Sequence, residues 1–228
     1  MTFELALTLT QTLLCLTFFQ QCLEHLKSRD SLWIAHLVRS ICCGLVIAGV
    51  LVEPALATLA TLSIIYLYRY QGPYNGGSDR MGILALWCVT LAHFLPQQNW
   101  KEIAFGYLSV QLVLSYFISG WVKIINPDWR SGQALQDVFL FSAYPVSEDL
   151  RKWANRPYVL KTMSWAVMLF ELAFPFALAT QSSLIAGLVI AGIFHLANAC
   201  LFGLNRFFWT WLSVYPAILW FQQRLTGA

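Results

Sequence analysis

Residues 184–204 read LIAGLVIAGIFHLANACLFGL, a run without a single Asp, Glu, Lys or Arg. A helix of about 20 apolar residues crosses the hydrocarbon core of a bilayer. The run therefore predicts a membrane-spanning helix, in which His195 and Asn198 are polar exceptions. Ionisable groups are expensive inside a bilayer, so they mark candidate functional sites.

The composition of the whole chain extends this prediction. Of its 228 residues 58% are hydrophobic and only 11% are charged, and the mean hydropathy is +0.61. No soluble domain of this size requires so much apolar surface. The sequence predicts an all-α, polytopic membrane helix bundle of about eight transmembrane helices. They are expected at residues 5–26, 32–52, 55–68, 81–95, 103–124, 159–180, 184–204 and 207–221.

Residues 126–158 form the longest stretch between the predicted spans. Pro127 disfavours helical structure at Asn126 before it. Apolar residues then recur at helical spacing, which favours a short helix lying in the plane of the membrane interface. They are Trp129, Ala134, Leu135, Val138 and Phe139.

Most basic residues fall on one side of the predicted spans. Basic loops remain in the cytoplasm, so we expect a multi-pass protein of the cell (inner) membrane with both termini outside the cytoplasm. The first helix lacks the basic flank and cleavage site of a signal peptide and is expected to be retained. The predicted cytoplasmic residues are Lys27, Arg29, Arg69, Arg80, Arg130, Arg151, Lys152, Arg156 and Arg206.

Charge and cysteine usage argue against several classes of function. The net charge of +3 is explained by the basic loops and gives no support to nucleic-acid binding. The six cysteines form no C-x-x-C pair, so neither a dithiol centre nor a structural zinc site is predicted. We expect membrane lipids as partners and no metal.

The predicted fifth helix carries a polar ridge. Gln111, Ser115, Ser119 and Lys123 recur every four residues and share one face, with Tyr116 beside them. One interpretation is a polar track that leads to an amine acting as a base. The other is that Lys123, near the helix end, extends to the headgroups.

Two further ionisable residues lie within later spans. His195 belongs to a ridge of otherwise small residues, which lets helices approach closely. Glu171 precedes Pro175, which leaves the carbonyl of Glu171 without its helical donor. The two side chains could exchange a proton. Alternatively, each is a structural residue satisfied by a neighbouring helix.

The predicted second helix places His36, Arg39 and Cys43 on one face. Arg39 would lie one or two turns below the cytoplasmic surface, within reach of the headgroups. A structural role or a contact with a lipid phosphate is favoured.

Residues 71–80, QGPYNGGSDR, form a loop between spans. Its proline and adjacent glycines permit a tight turn with exposed amides. Ser78 or Asp79 can cap the helix that begins near Arg80. The turn either seats an oxygen-bearing headgroup or is only a hairpin between helices.

Three segments in this order resemble a known family. They are Tyr116–Gly120 with Lys123, Asp128, Trp129 and Gly132; Phe194 and His195 with Asn198, Leu201, Phe202 and Phe207; and Asn75 with Ser78. This pattern is similar to the membrane motifs of vitamin K-dependent gamma-carboxylases and the wider bacterial carboxylase-like, or HTTM, proteins. The likeness predicts a single carboxylase-like (HTTM) transmembrane domain over residues 1–228, short and without the large soluble domain of the carboxylases.

The resemblance implies a membrane enzyme that uses a reduced quinone, of the vitamin K or menaquinone type, and oxygen to generate a strong base. Chemistry on a quinone or another small lipid-soluble substrate follows from it. Lys123 would be the catalytic base, with Glu171 and His195 as a proton relay. The expected substrate-binding residues are Asn75, Gly76, Gly77, Ser78, Asp79, Arg80, Tyr116, Trp129 and Asn198.

Two other functions remain open. The chain could be a non-catalytic membrane subunit that binds a lipid, a pigment or a partner membrane protein, its polar ridges serving only for helix packing. It could also be a small transporter, although it shows no inverted internal repeat.

Overall fold

The computed structural model describes residues 1–28, 31–70, 76–142 and 147–227, apart from the side chain of residue 28. These residues are almost entirely helical and include no strand. The α-helices are α1 (Phe3–Ser28), α2 (Trp33–Ile47), α3 (Val52–Arg69), α4 (Gly77–Phe94), α5 (Gln98–Ile125), α6 (Pro127–Ser131), α7 (Gln133–Phe141), α8 (Pro157–Ala173), α9 (Gln181–Phe202) and α10 (Asn205–Thr226). Two 3-10 helices, Glu148–Asn155 and Phe174–Ala179, complete the described elements.

The all-α prediction is confirmed, and each of the eight predicted spans is occupied by a helix. Among the described residues, four helical stretches are long and apolar enough to cross a membrane: Phe3–Lys27, Gln98–Ile125, Pro157–Ala179 and Gln181–Phe202. Helices α3 and α4 extend beyond their short apolar runs to 18 residues each. At 1.5 Å per residue this is about 27 Å, close to the thickness of a hydrocarbon core.

Between the fifth and sixth predicted spans, α6 and α7 cover the positions at which a short helix was expected. Asn126 is extended and its side chain accepts a hydrogen bond from the Asp128 amide, so it caps α6. Gly132 has φ +90° and separates α6 from α7. A Cβ at Gly132 would lie 2.9 Å from the backbone of Lys161, so glycine is required both by conformation and by space.

The described chain forms two compact units. Unit 1 comprises Met1–Ser109 and Trp209–Ala228, and unit 2 comprises Val110–Phe208. In unit 1, α1 packs against α2 and α4, and α3 packs against both α2 and α4. Phe3 makes edge contacts with the rings of Phe105 and Trp220, at 5.6 and 5.4 Å.

Unit 2 holds α6 and α7 against α8. The Ser164 hydroxyl donates to the Trp129 carbonyl at 2.5 Å, and the Trp165 indole donates to the Arg130 carbonyl at 3.0 Å. A small core lies between α7, the 3-10 helix Glu148–Asn155 and α8. These contacts fix the chain immediately after Lys123. The core residues are Leu135, Phe139, Ala154, Leu160 and Phe202.

Candidate functional site

The side chain of Lys123 forms an ion pair with Glu171 of α8. Its Nζ atom lies 2.6 Å from each carboxylate oxygen and 2.6 Å from the Ser119 hydroxyl. Ser119 in turn donates to Glu171 Oε1 at 3.1 Å. The side chains of Lys123 and Glu171 are 16% and 4% exposed, so the pair is largely enclosed. The last turn of the polar ridge on α5 is therefore directed at an acidic partner.

Gly120 explains how α5 and α8 come close enough for this pair to form. A Cβ at position 120 would lie 2.8 Å from the Leu172 amide nitrogen and 2.9 Å from the Glu171 Cβ. Both distances are shorter than real side-chain contacts. Only a hydrogen atom fits at this point of α5, one turn before Lys123.

The ring of Trp129 also borders the cluster. The Lys123 Nζ atom lies 5.2 Å from its centroid, within cation–π distance. Trp129 is positioned by the hydrogen bond from Ser164 to its carbonyl. Lys123 and Trp129, which belong to one segment of the family resemblance, therefore lie together in the structure.

A second polar pair involves Tyr116, about two turns before Lys123 in the same helix. The Tyr116 hydroxyl is 2.8 Å from His195 Nε2, and both residues are buried. In α9 the ridge of small residues buries Gly187 and Ala191 together with His195. Asn198, one turn further on, is half-buried. The histidine thus faces protein, as its position among small residues indicated.

Phenylalanine rings surround the Tyr116–His195 pair. The centroid of Phe174 lies 4.2 Å from that of Tyr116, and the centroid of Phe194 lies 5.1 Å from that of His195. Phe170 contacts Tyr116, Phe174 and Phe194. Phe170 and Phe174 were not predicted as site residues, and Phe194 was identified only through the family resemblance. Their signal was the i, i+4 spacing of Phe170 and Phe174 and the adjacency of Phe194 to His195.

The structure distributes the three expected catalytic residues over two pairs. Glu171 is engaged by Lys123 and Ser119, whereas His195 Nε2 is engaged by Tyr116. Tyr116, Ser119 and Lys123 share one face of α5, because three and four residues separate them. A relay that joins Glu171 to His195 stays a prediction.

The turn before α4 belongs to unit 1, and Asn75 lies outside the described residues. Helix α4 begins at Gly77 rather than near Arg80, so Ser78 and Asp79 lie within its first turn. The Asp79 carboxylate accepts a hydrogen bond from the Gly76 amide at 3.2 Å, and Ser78 is buried. Gly76 occupies the N-cap position, so the prediction that Ser78 or Asp79 caps a helix beginning near Arg80 is wrong, although Asp79 bonds back to the cap residue. The substrate-binding role of Gly76, Gly77, Ser78, Asp79 and Arg80 stays a prediction.

Comparisons with known proteins agree with the sequence resemblance. A family model described as the HTTM domain matches residues 95–223, which is more than half of the chain and includes both polar pairs. No curated protein and no solved structure matches the chain significantly. With its apolar helices, the chain is a membrane protein that belongs to the HTTM domain family.

Proposed function

We propose that this protein is a carboxylase-like membrane enzyme that acts with a quinone or another small lipid-soluble substrate. The observation that carries the proposal is the enclosed cluster of Lys123, Glu171 and Ser119 on candidate membrane-spanning helices. Ionisable groups at such positions are rare and commonly mark proton pathways or substrate sites.

The residues around Tyr116 fit an aromatic, lipid-soluble compound. Phe170, Phe174 and Phe194 supply apolar ring faces, and the Tyr116 hydroxyl and the His195 imidazole supply polar atoms among them. Apolar pockets with a few placed polar groups are typical of small-molecule sites. A reduced quinone would supply an acidic hydroxyl and, with oxygen, a route to a strong base.

In this proposal the Lys123–Glu171 pair does the acid–base work as a unit. An ammonium group has three donors and no lone pair, so Lys123 cannot accept a proton while it is charged. Lys123 becomes a base only after it passes a proton to Glu171 across 2.6 Å. Alternatively, the carboxylate itself takes up the proton and the ammonium group stabilises a neighbouring anion. Ser119 keeps both partners in position.

His195 and Tyr116 are suited to a second proton transfer. A neutral imidazole carries one donor and one acceptor nitrogen, and the hydroxyl can also donate and accept. At 2.8 Å the two groups can exchange a proton without other movement. We propose that this pair and the Lys123–Glu171 pair act on the same bound compound, with Asn198 and Trp129 orienting it.

The test uses the full chain in detergent with chemically reduced menaquinone. We expect the protein to increase quinone-dependent oxygen consumption and to retain quinone that native mass spectrometry detects. Lys123→Met and Glu171→Gln should each lower the rate by about a hundredfold or more, the range of acid–base contributions. Lys152→Gln is the matched control, because Lys152 is exposed and pairs with exposed Asp149. Equal rates in all four proteins would refute the proposal.

A non-catalytic subunit is the second candidate. It is favoured by the fact that Lys123, Ser119 and Glu171 satisfy one another without a ligand, as a purely structural ion pair would. The same native mass spectra separate the two functions. An associated membrane protein that is lost from Lys123→Met, together with unchanged oxygen consumption, would support the subunit.

A further inference from the structure

Unit 1 contains a guanidinium group that the proposed function does not use. Arg39 lies in the second turn of α2, and its Cζ atom is 4.0 Å from the centroid of Phe18 and 5.1 Å from that of Tyr66. Phe18 belongs to α1 and Tyr66 to α3, so three helices meet at this arginine. The Cys22 thiol lies beside it as well.

These neighbours do not neutralise the charge of Arg39. Within residues 1–28, 31–70, 76–142 and 147–227, no carboxylate forms an ion pair with it. Cation–π contacts contribute about 0.5–2 kcal/mol each, whereas an uncompensated arginine within a membrane costs about 3 kcal/mol or more. Ring faces also leave the N–H donors at the edge of the guanidinium available for an anion.

The surroundings of Arg39 are aromatic and basic. His25 and His36 stack with their centroids 4.4 Å apart, and Tyr66 stacks on His36 at 4.9 Å. His36 Nε2 is 2.9 Å from the Tyr70 hydroxyl. Aromatic and imidazole rings therefore accompany Arg39 at this end of unit 1.

The rings beside Arg39 lie toward the ends of three helices. His25 lies in the last turn of α1, His36 in the first turn of α2 and Tyr66 in the last turn of α3. Arg39 is six residues beyond the start of α2, about 9 Å along the helix. If α2 enters a bilayer at its first turn, a side chain of this length can meet a headgroup from that depth.

We propose that Arg39 binds a phosphate group at this end of unit 1. A planar fork of donors is matched to the oxygens of phosphate, which an arginine can engage through two hydrogen bonds at once. The phosphate is that of an anionic phospholipid or a free phosphate ion. The site lies outside residues 95–223, the part that matches the HTTM domain, and is independent of the Lys123–Glu171 pair.

The experiment measures the thermal midpoint of the full chain in phosphatidylcholine nanodiscs. One arm replaces increasing fractions of the lipid by phosphatidylglycerol, and a second arm adds inorganic phosphate instead. A ligand that binds only the folded state raises the midpoint with concentration. A rise with phosphatidylglycerol alone identifies a lipid site, and a rise with phosphate alone identifies a free-ion site.

Arg39→Gln should require at least about tenfold more of the active probe for the same rise, since it loses charged hydrogen bonds. Arg39→Lys keeps the positive charge but loses the planar set of donors, and it should weaken the rise in thermal midpoint several-fold. It replaces Arg39→Gln in the test if that variant does not fold. Arg69→Gln is the control, because it removes an exposed charge from the end of α3. No rise with either probe, or an equal loss in Arg39→Gln and Arg69→Gln, would overturn the proposal.

Discussion

Two opposite charges at positions 123 and 171 are separated by 2.6 Å and nearly withdrawn from solvent. In such a pair the cost of desolvation and the mutual attraction are of similar size. The pair therefore contributes little to stability as a whole, whereas the loss of one partner leaves a charge without compensation.

A double-mutant cycle on the pair measures this asymmetry. We expect Lys123→Met and Glu171→Leu each to lower the free energy of unfolding by about 3–5 kcal/mol, and the double variant to lose much less than their sum. The measurement is denaturant unfolding in detergent, followed by tryptophan fluorescence. Additive losses would contradict the pairing of the two side chains.

Tyr116 allows a test of the second pair. Tyr116→Phe removes the hydroxyl that pairs with His195 but keeps the ring packed against Phe174. We expect a loss of about 1–3 kcal/mol, because a buried partner is left unsatisfied, and a lower oxygen consumption with reduced menaquinone. Tyr107→Phe is the control on the same helix, since Tyr107 is 51% exposed. Equal effects of both variants would show that the hydroxyl of Tyr116 has no special role.

At the scale of the elements, the contact between α5 and α8 depends on Gly120. Gly120→Ala should destabilise unit 2 by about 1–3 kcal/mol, because its Cβ would meet the Leu172 backbone. Gly44→Ala in α2 is the matched control. No atom lies within 4 Å of its Cβ, so it should stabilise by about 0.5–1 kcal/mol. Thermal unfolding checks both, and a stabilising Gly120→Ala would contradict the close contact.

The sequence predicted the positions of the helices better than the contacts between side chains of different helices. Long apolar runs located a helix at each of the eight predicted spans, because burial in a bilayer imposes both length and composition. It also placed Lys123 and Ser119 on one face of α5, since helical spacing is local. The acidic partner of Lys123 was not predicted, because Glu171 is 48 residues away and such pairing depends on tertiary structure. The sequence instead suggested His195 as the partner of Glu171.

At the scale of the whole molecule, the distribution of basic residues predicts the orientation. Reporter fusions at the two termini should be active on the outer side of the membrane, and a fusion after Lys152 should be active in the cytoplasm. Each position is fused in turn to a reporter that is active only outside the cytoplasm and to one that is active only inside it, so the two readings control each other. A cytoplasmic N-terminus would invert the predicted topology and place Lys123 at the opposite surface.

The space reserved at Gly120 also constrains how the sequence can change over evolutionary time. A methyl group there would separate the two backbones at the level of Glu171. Homologous chains that have acquired a larger residue at this position should therefore also have exchanged the lysine or the glutamate. Substitutions at positions 120, 123 and 171 should therefore covary among homologues, although the residue at position 120 has no side chain.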